Sequence, residues 1–187
     1  MQIKDVQDTI EEELISHDDL EEKIVQMAHR ASEDYKGKNP LLVAVLKGAA
    51  NVMTTFSQAM TIPVEIDYMS LSSYGSGTQS TGKVLVRHDL STDIAGRHVL
   101  IVEDIIDSGF TLDWLVKEFK RRGAASVEIF AMLEKPARLK FPVDVKYKGF
   151  QIPDKFVVGY GLDYDEKYRN LDSIAVLKPA VYKGEYA

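Results

Sequence analysis

The sequence contains no cysteine. A disulfide framework and a thiolate metal site are therefore excluded, and the absence suits a reducing, cytoplasmic setting. No apolar run approaches membrane-spanning length. The opening residues MQIKDVQDTIEEEL lack the apolar segment of a signal peptide. Histidine is scarce: His17, His29, His88 and His98 show no ligand spacing and read as surface or cap residues. A basic surplus is also missing. The net charge of −6 argues against a non-specific nucleic-acid binder. It leaves room for an anionic substrate wherever local Lys, Arg, backbone N–H groups or metal cancel the field.

What is present is the balance of an ordinary globular chain. The 187 residues, 45% hydrophobic and 28% charged, fit one α/β domain large enough for a useful core. Ser16 followed by Asp18 and Asp19 reads as a helix start, with acids at the positive end of the dipole. Leu20, Ile24, Met27, Ala28, Ala31 and Tyr35 then recur at helical spacing. Leu41 to Leu46 is a continuous apolar run of strand length, as expected when both faces are covered. Val52, Phe56, Ala59 and Met60 mark a second helix. Pro63 to Leu71 reads as a strand with Val64, Ile66 and Tyr68 on one side and Glu65 and Asp67 on the other.

Further strands are expected at Lys83 to Arg87, His98 to Val102 and Val127 to Leu133, with short pieces near Val143–Tyr147, Phe156–Val158 and Ile174–Leu177. Leu112, Leu115, Val116 and Phe119 place a helix before Gly123. Strand and helix alternate from Leu41 to Leu133, which implies a mostly parallel sheet flanked by helices. Ligands of such sheets bind outside the carboxyl ends of the strands. The stretch 72–82, SSYGSGTQSTG, is nearly all Ser, Gly and Thr and reads as a mobile loop between two strands; a loop of that length is usually a lid, a binding loop or disorder, with an inert hairpin tip as the bland reading.

The unusual stretch is VLIVEDIIDSGFTL, Val99 to Leu112. A buried strand runs into Glu103, Asp104 and Asp107, and a helix opens after Gly109. The orphan N–H groups of that helix, with Ser108 and Thr111 as hydroxyl donors and Gly109 permitting close approach, make a phosphate cradle. Glu103 and Asp104 would repel a bare phosphate. They suit vicinal hydroxyls or a hydrated Mg²⁺. A sugar phosphate satisfies both halves; the plain alternative is an Asp helix cap with two acids in a surface turn.

These residues resemble the ribose-phosphate signature of the type I phosphoribosyltransferases. Features elsewhere resemble their 6-oxopurine branch, whose members act on hypoxanthine and guanine. The resemblance runs from near Leu14 to the C-terminal strand. It implies a single phosphoribosyltransferase domain over 1–187, with a core at about 36–150 and a small hood built from the N-terminal segment and the residues after about 150. It implies transfer of a 5-phosphoribosyl group from phosphoribosyl pyrophosphate to a base, with Mg²⁺ as cofactor, in a homodimer or homotetramer, without nucleic acid or membrane as partner.

By the same resemblance, residues Asp107, Ser108, Gly109, Phe110 and Thr111 would hold the 5-phosphate, with Asp107 also near purine N7 as general acid/base. Glu103 and Asp104 would hold the ribose hydroxyls, directly or through Mg²⁺, and Asp163 would bind a second Mg²⁺. Lys47 and Gly48 match a pyrophosphate loop that in the family contains a non-proline cis peptide. Ser73 and Tyr74 would fold over the pyrophosphate, and Arg169 would clamp it. Lys135 would donate to the O6 of the base, Phe156 would stack on it, and the Val157 backbone would bond its edge.

Bland readings stand beside each assignment: a cap for Asp107, a tight-turn Lys47, a surface Lys135, a core Phe156 and an Asp163–Arg169 surface ion pair. A sugar-pyrophosphate-sensing regulator on the same fold is the alternative function. It would call for a DNA-binding extension or a basic face. A flavodoxin-like receiver explains the strand-end acids but leaves Lys135, Phe156 and Asp163 without a role.

Overall fold

A computed structural model of the chain describes residues 1–73 and 84–183. Among these, six strands form the main sheet in the order β4-β3-β2-β5-β6-β7: β2 (Leu41–Leu46), β3 (Glu65–Ser73), β4 (Val84–His88), β5 (His98–Ile106), β6 (Ser126–Glu134) and β7 (Tyr147–Gln151). All neighbours are parallel except β3 and β4. This is the mostly parallel, helix-flanked sheet anticipated from the alternation of strand and helix.

β2 and β5 are apolar on both faces because both faces are covered. α1 (His17–Asp34) and α2 (Ala50–Ala59) lie on one side, where Leu20, Ile24, Phe56, Leu42, Leu100 and Phe130 share a core. α3 (Phe110–Arg121) lies on the other, packing Leu112, Leu115 and Phe119 against Val43, Ile101 and Ile129. Ser16 caps α1, its Oγ accepting from Asp19 N at 3.2 Å.

A second sheet is antiparallel, in the order β1-β9-β8. It joins β1 (Ile10–Ile15) to β9 (Ile174–Leu177) and β8 (Val157–Val158). Its small core gathers Ile10, Val158, Leu171, Ala175 and Leu177. The polar run EEE inside IEEELI hides β1 from a reading by hydrophobicity. Its burial is confined to its two ends and Leu14.

Two expectations need correction, and the structure decides a third point that the sequence leaves open. β5 runs to Ile106, four residues past the expected end, so Glu103 and Asp104 sit within the strand and not in a turn after it. β7 begins at Tyr147, where the expected piece was to end. On β3, Ile66 is 44% exposed whereas Asp67 is buried. Asp67 faces inward because its Oδ2 accepts from Ser91 N, Ser91 Oγ and Thr92 N at 2.8–3.1 Å, tying down the loop before β5. Burial raises its affinity for a proton, but these donors and the Tyr68 N–H outweigh burial and hold its pKa below the usual carboxylate range.

The parallel register decides where function can sit. Leu46 pairs with Ser70, Ala44 with Val102, and Ile106 with Glu134, so β2, β3, β5 and β6 all end at one edge. From β2 the chain steps to β3 on one side and later to β5 on the other. The crevice between β2 and β5 is therefore the topological switch point.

Candidate active site

The loop after β2 and the end of β5 form one structural unit at that crevice. The Leu46–Lys47 peptide is cis, and Gly48 follows it. A Cβ on Gly48 would overlap Asp104 Oδ2, and a Cβ on Gly161 would overlap the Gly48 carbonyl. Three segments distant in sequence thus pack backbone against carboxylate and backbone against backbone. Only glycine fits at 48 and 161.

Asp104 is buried, its Oδ1 accepting from Ile105 N at 2.8 Å. Beside it Glu103 keeps Oε2 buried without a hydrogen-bond partner. Burial pushes both carboxyls above their usual range, and for Glu103 the adjacent Asp104 charge adds to the effect. A buried acid beside a half-buried one, each only partly satisfied, is costly in isolation. Divalent cations and vicinal hydroxyls are the groups that relieve such a pair, so the donor set fits a hard cation with oxygen ligands. Among the described residues no three His, Asp or Glu side chains gather as metal ligands.

The bend after β5 is braced from below. Ser108 O accepts from both Lys140 N and Phe141 N at 3.0 Å. Gly109 has φ +80°, and a Cβ there would overlap the Phe141 carbonyl. α3 starts directly after Gly109 with no side chain capping it; the closest substitute is Ser108 Oγ, which accepts from Phe110 N at 3.4 Å. The expected cap residues are present but do not cap, so the first-turn N–H groups keep their capacity for an anion. A cavity of about 280 Å³ lies over this bend, lined by Val45, Ser72, Glu103, Asp107, Ser108 and Thr111 among others.

Asp107 is half-exposed above the bend, with Arg138 Nε at 2.5 Å from Oδ1, a charge contact and not an aligned hydrogen bond. Lys135 is joined to the same place through its backbone, Lys135 N donating to Ile106 O at 2.9 Å. Its side chain is only 7% exposed, and among the described residues no hydrogen bond or ion pair engages Nζ. Burial draws the ammonium's pKa down, partly offset by the Asp107 charge. The surface-lysine reading is thereby excluded.

Phe156 is 39% exposed and so is no core residue. It precedes β8, an edge strand among the described residues, whose Val157 backbone has one side free of a strand partner. Arg169 Nη2 pairs with Asp163 Oδ1 at 2.9 Å and Glu166 Oε2 at 3.2 Å, and Nη1 donates to Gly161 O at 2.8 Å. Its Nε is buried without a partner. Lys47 Nζ reaches Glu166 Oε2 at 2.8 Å. The expected Asp163–Arg169 ion pair therefore exists, but within a network that ties the two loops together. Ser73 ends β3; Tyr74 lies outside the described residues.

One supporting residue was not anticipated. Tyr160, between Gly159 and Gly161 with φ +47°, donates its hydroxyl to Glu21 Oε1 at 2.6 Å and lies 2.7 Å from Thr55 Oγ1. It pins the loop carrying Gly161 to α1 and α2. Only the flanking glycines signal it in the sequence.

A helix start with uncapped amides, a strand-end acid pair and a glycine loop thus meet at the switch point of a parallel sheet. Residues 11–165 match the phosphoribosyl transferase domain family, and the chain belongs to that family. It is 45% identical over 174 residues to the hypoxanthine-guanine phosphoribosyltransferase of Bacillus subtilis, covering 93% of this chain and 97% of that one. It is 49% identical over 173 residues to the bifunctional protein TilS/HprT of Listeria innocua; the match takes in 92% of this chain but spans only 27% of that longer relative. A hypoxanthine phosphoribosyltransferase from Staphylococcus aureus superposes with a TM-score of 0.91 at 41% identity, covering 95% of this chain and 96% of that one.

Proposed function

We propose that the protein transfers the 5-phosphoribosyl group of phosphoribosyl pyrophosphate to N9 of hypoxanthine or guanine, giving IMP or GMP and pyrophosphate, a purine-salvage reaction. The single observation that carries this reading is the bend from Glu103 to Thr111. There an uncapped helix start adjoins the buried Asp104 and the half-buried Glu103, under-partnered carboxyls that match an ester phosphate joined to a diol. The relatives are named for this reaction.

In this reading the 5-phosphate accepts from the N–H groups of residues 109–111 and from the hydroxyls of Ser108 and Thr111. Glu103 and Asp104 accept from the ribose hydroxyls and hold Mg²⁺; Asp163 would hold a second. The ion supplies charge neutralisation for the departing pyrophosphate. Arg169 turns its fork to the pyrophosphate, and the backbone after Leu46 offers N–H groups to it. Ser73 and Tyr74 close the site on that side, excluding water from a ribosyl centre that would otherwise hydrolyse.

Asp107 takes the N7 proton as N9 attacks and tolerates the developing positive charge on the sugar. Lys135 donates to O6. An ammonium has no acceptor, so it meets the N6 amino group of adenine with a donor against a donor. Phe156 stacks on the base and the Val157 backbone bonds its edge. The antiparallel sheet acts as a hood over the core, and the assembly is a homodimer or homotetramer in a cytoplasmic setting.

The test is to mix the protein with Mg²⁺, phosphoribosyl pyrophosphate and each of hypoxanthine, guanine, xanthine and adenine, and to follow nucleotide and pyrophosphate. Nucleotide from hypoxanthine and guanine but not adenine is expected. Turnover of adenine alone would overturn the role of Lys135, and no turnover with tight sugar-pyrophosphate binding would overturn the enzymatic reading.

A further inference from the structure

The exposed ring of Phe156 is held between two tyrosines. Tyr182 lies nearly parallel to it, with ring centroids 4.9 Å apart and planes 19° apart. Tyr164 meets it edge-on, at 5.8 Å and 86°. The parallel partner comes from the last turn of the described chain, Pro179–Tyr182, and that turn is built to stay in place. Lys178 N donates to Thr9 O at 2.9 Å, and Lys178 Nζ donates to Asp8 O at 2.8 Å and Gln7 O at 3.4 Å. Pro179 starts the turn, and Val181 packs on the core that holds Val158 and Leu171. The chain leaving β9 is thus pinned to the segment before β1 and turned so that Tyr182 covers one face of Phe156.

We propose that Tyr182 is a positioning residue for the purine: by stacking on one face of Phe156 it fixes the plane of that ring and leaves the opposite face as the platform for the base. The proposal rests on the reading of Phe156 as the base platform. Simple burial would accept any large apolar side chain at 182, whereas ring-on-ring packing selects a parallel orientation. An ordered platform spares the base the cost of immobilising Phe156 when it binds. The C-terminal turn thereby becomes part of the base site without touching the base. Sugar-pyrophosphate binding, which uses the other end of the crevice, stays independent of it.

The test compares wild type with Tyr182→Phe, Tyr182→Leu and Tyr182→Ala, measuring kcat and KM separately for hypoxanthine and for phosphoribosyl pyrophosphate. Tyr182→Ala is expected to raise the hypoxanthine KM by roughly three- to ten-fold, with the other two constants nearly unchanged. Tyr182→Leu, which keeps apolar volume without a ring, behaves like Ala, and Tyr182→Phe like wild type. A thermal melt checks folding, and if Ala fails to fold the Leu and Phe pair decides. An unchanged or lowered hypoxanthine KM in folded Ala or Leu variants would overturn the proposal, a lowered one meaning that Tyr182 occupies the base's own face. A wild type that turns over no base would remove the platform reading and this inference with it. That result is distinct from an active wild type whose variants match it.

Discussion

Gly48 lies against Asp104 so closely that a Cβ at position 48 would overlap the carboxylate oxygen Oδ2. The loop after β2 and the acid pair of β5 are therefore one unit, although 56 positions separate them in the sequence. Asp104 is buried and short, with Oδ1 already engaged by Ile105 N, so it cannot swing aside cheaply.

Gly48→Ala is accordingly expected to reorient Asp104. The predicted result is a fall of about 10²-fold in kcat/KM for phosphoribosyl pyrophosphate, the cost of misplacing a site by about an ångström, with the protein still folded. Steady-state kinetics and a thermal melt check it; unchanged kinetics would mean that the unit tolerates a shift.

Glu103 and Asp104 also set a pH dependence. Their pKa values are raised, by burial first and for Glu103 then by the neighbouring charge. A raised acid binds its proton more readily folded than unfolded. Their contribution to stability is thus most favourable in acid and declines as pH rises from the ordinary Glu value of 4.5 toward the raised one. Glu103→Gln removes Glu103's share of that decline. At about pH 7 the ligand-free variant should melt about 2–4 °C above wild type, the shift given by about 1 kcal/mol in a chain of this size. The gap should close toward acid. Adding Mg²⁺ and phosphoribosyl pyrophosphate should reverse the ranking, since the variant has lost a ligand.

On the proposed reading, Lys135 trades stability for selectivity. Its folded pKa is lowered by burial, so the folded protein holds that proton less firmly than the unfolded chain. Stability then rises as pH climbs from the lowered value toward 10.5, and the charge is a cost at neutral pH. Lys135→Met should melt higher than wild type near neutrality. It should also lose about 10–100-fold in hypoxanthine affinity, the value of a hydrogen bond to a charged donor, and discriminate less against adenine. Melting curves beside base titrations check both halves.

Much of this was legible in the chain because the relevant signals are local. The apolar run Leu41–Leu46, the spacing from Leu112 to Phe119 and the abrupt Glu103–Asp104 inside an apolar stretch each report their environment directly. β1 escaped because Glu11, Glu12 and Glu13 face solvent on an antiparallel strand whose partner lies at the other end of the chain. The burial of Asp67 was not legible because alternation shows which residues share a side and not which side meets the core; its donors come from Ser91 and Thr92, across a loop. The burial of Lys135 and the exposure of Phe156 depend on packing between β6, β8 and the C-terminal turn, which no window of sequence contains. The same holds for the clamp on Tyr160 by Glu21 and Thr55.

The central claim is that the strand-to-helix bend grips a pentose phosphate from two sides. A crystal structure with phosphoribosyl pyrophosphate and Mg²⁺ bound tests it most directly. The 5-phosphate should lie on the backbone of residues 108–111, with the ribose hydroxyls or their cation on Glu103 and Asp104. A sugar bound elsewhere, with the bend empty, would contradict the account.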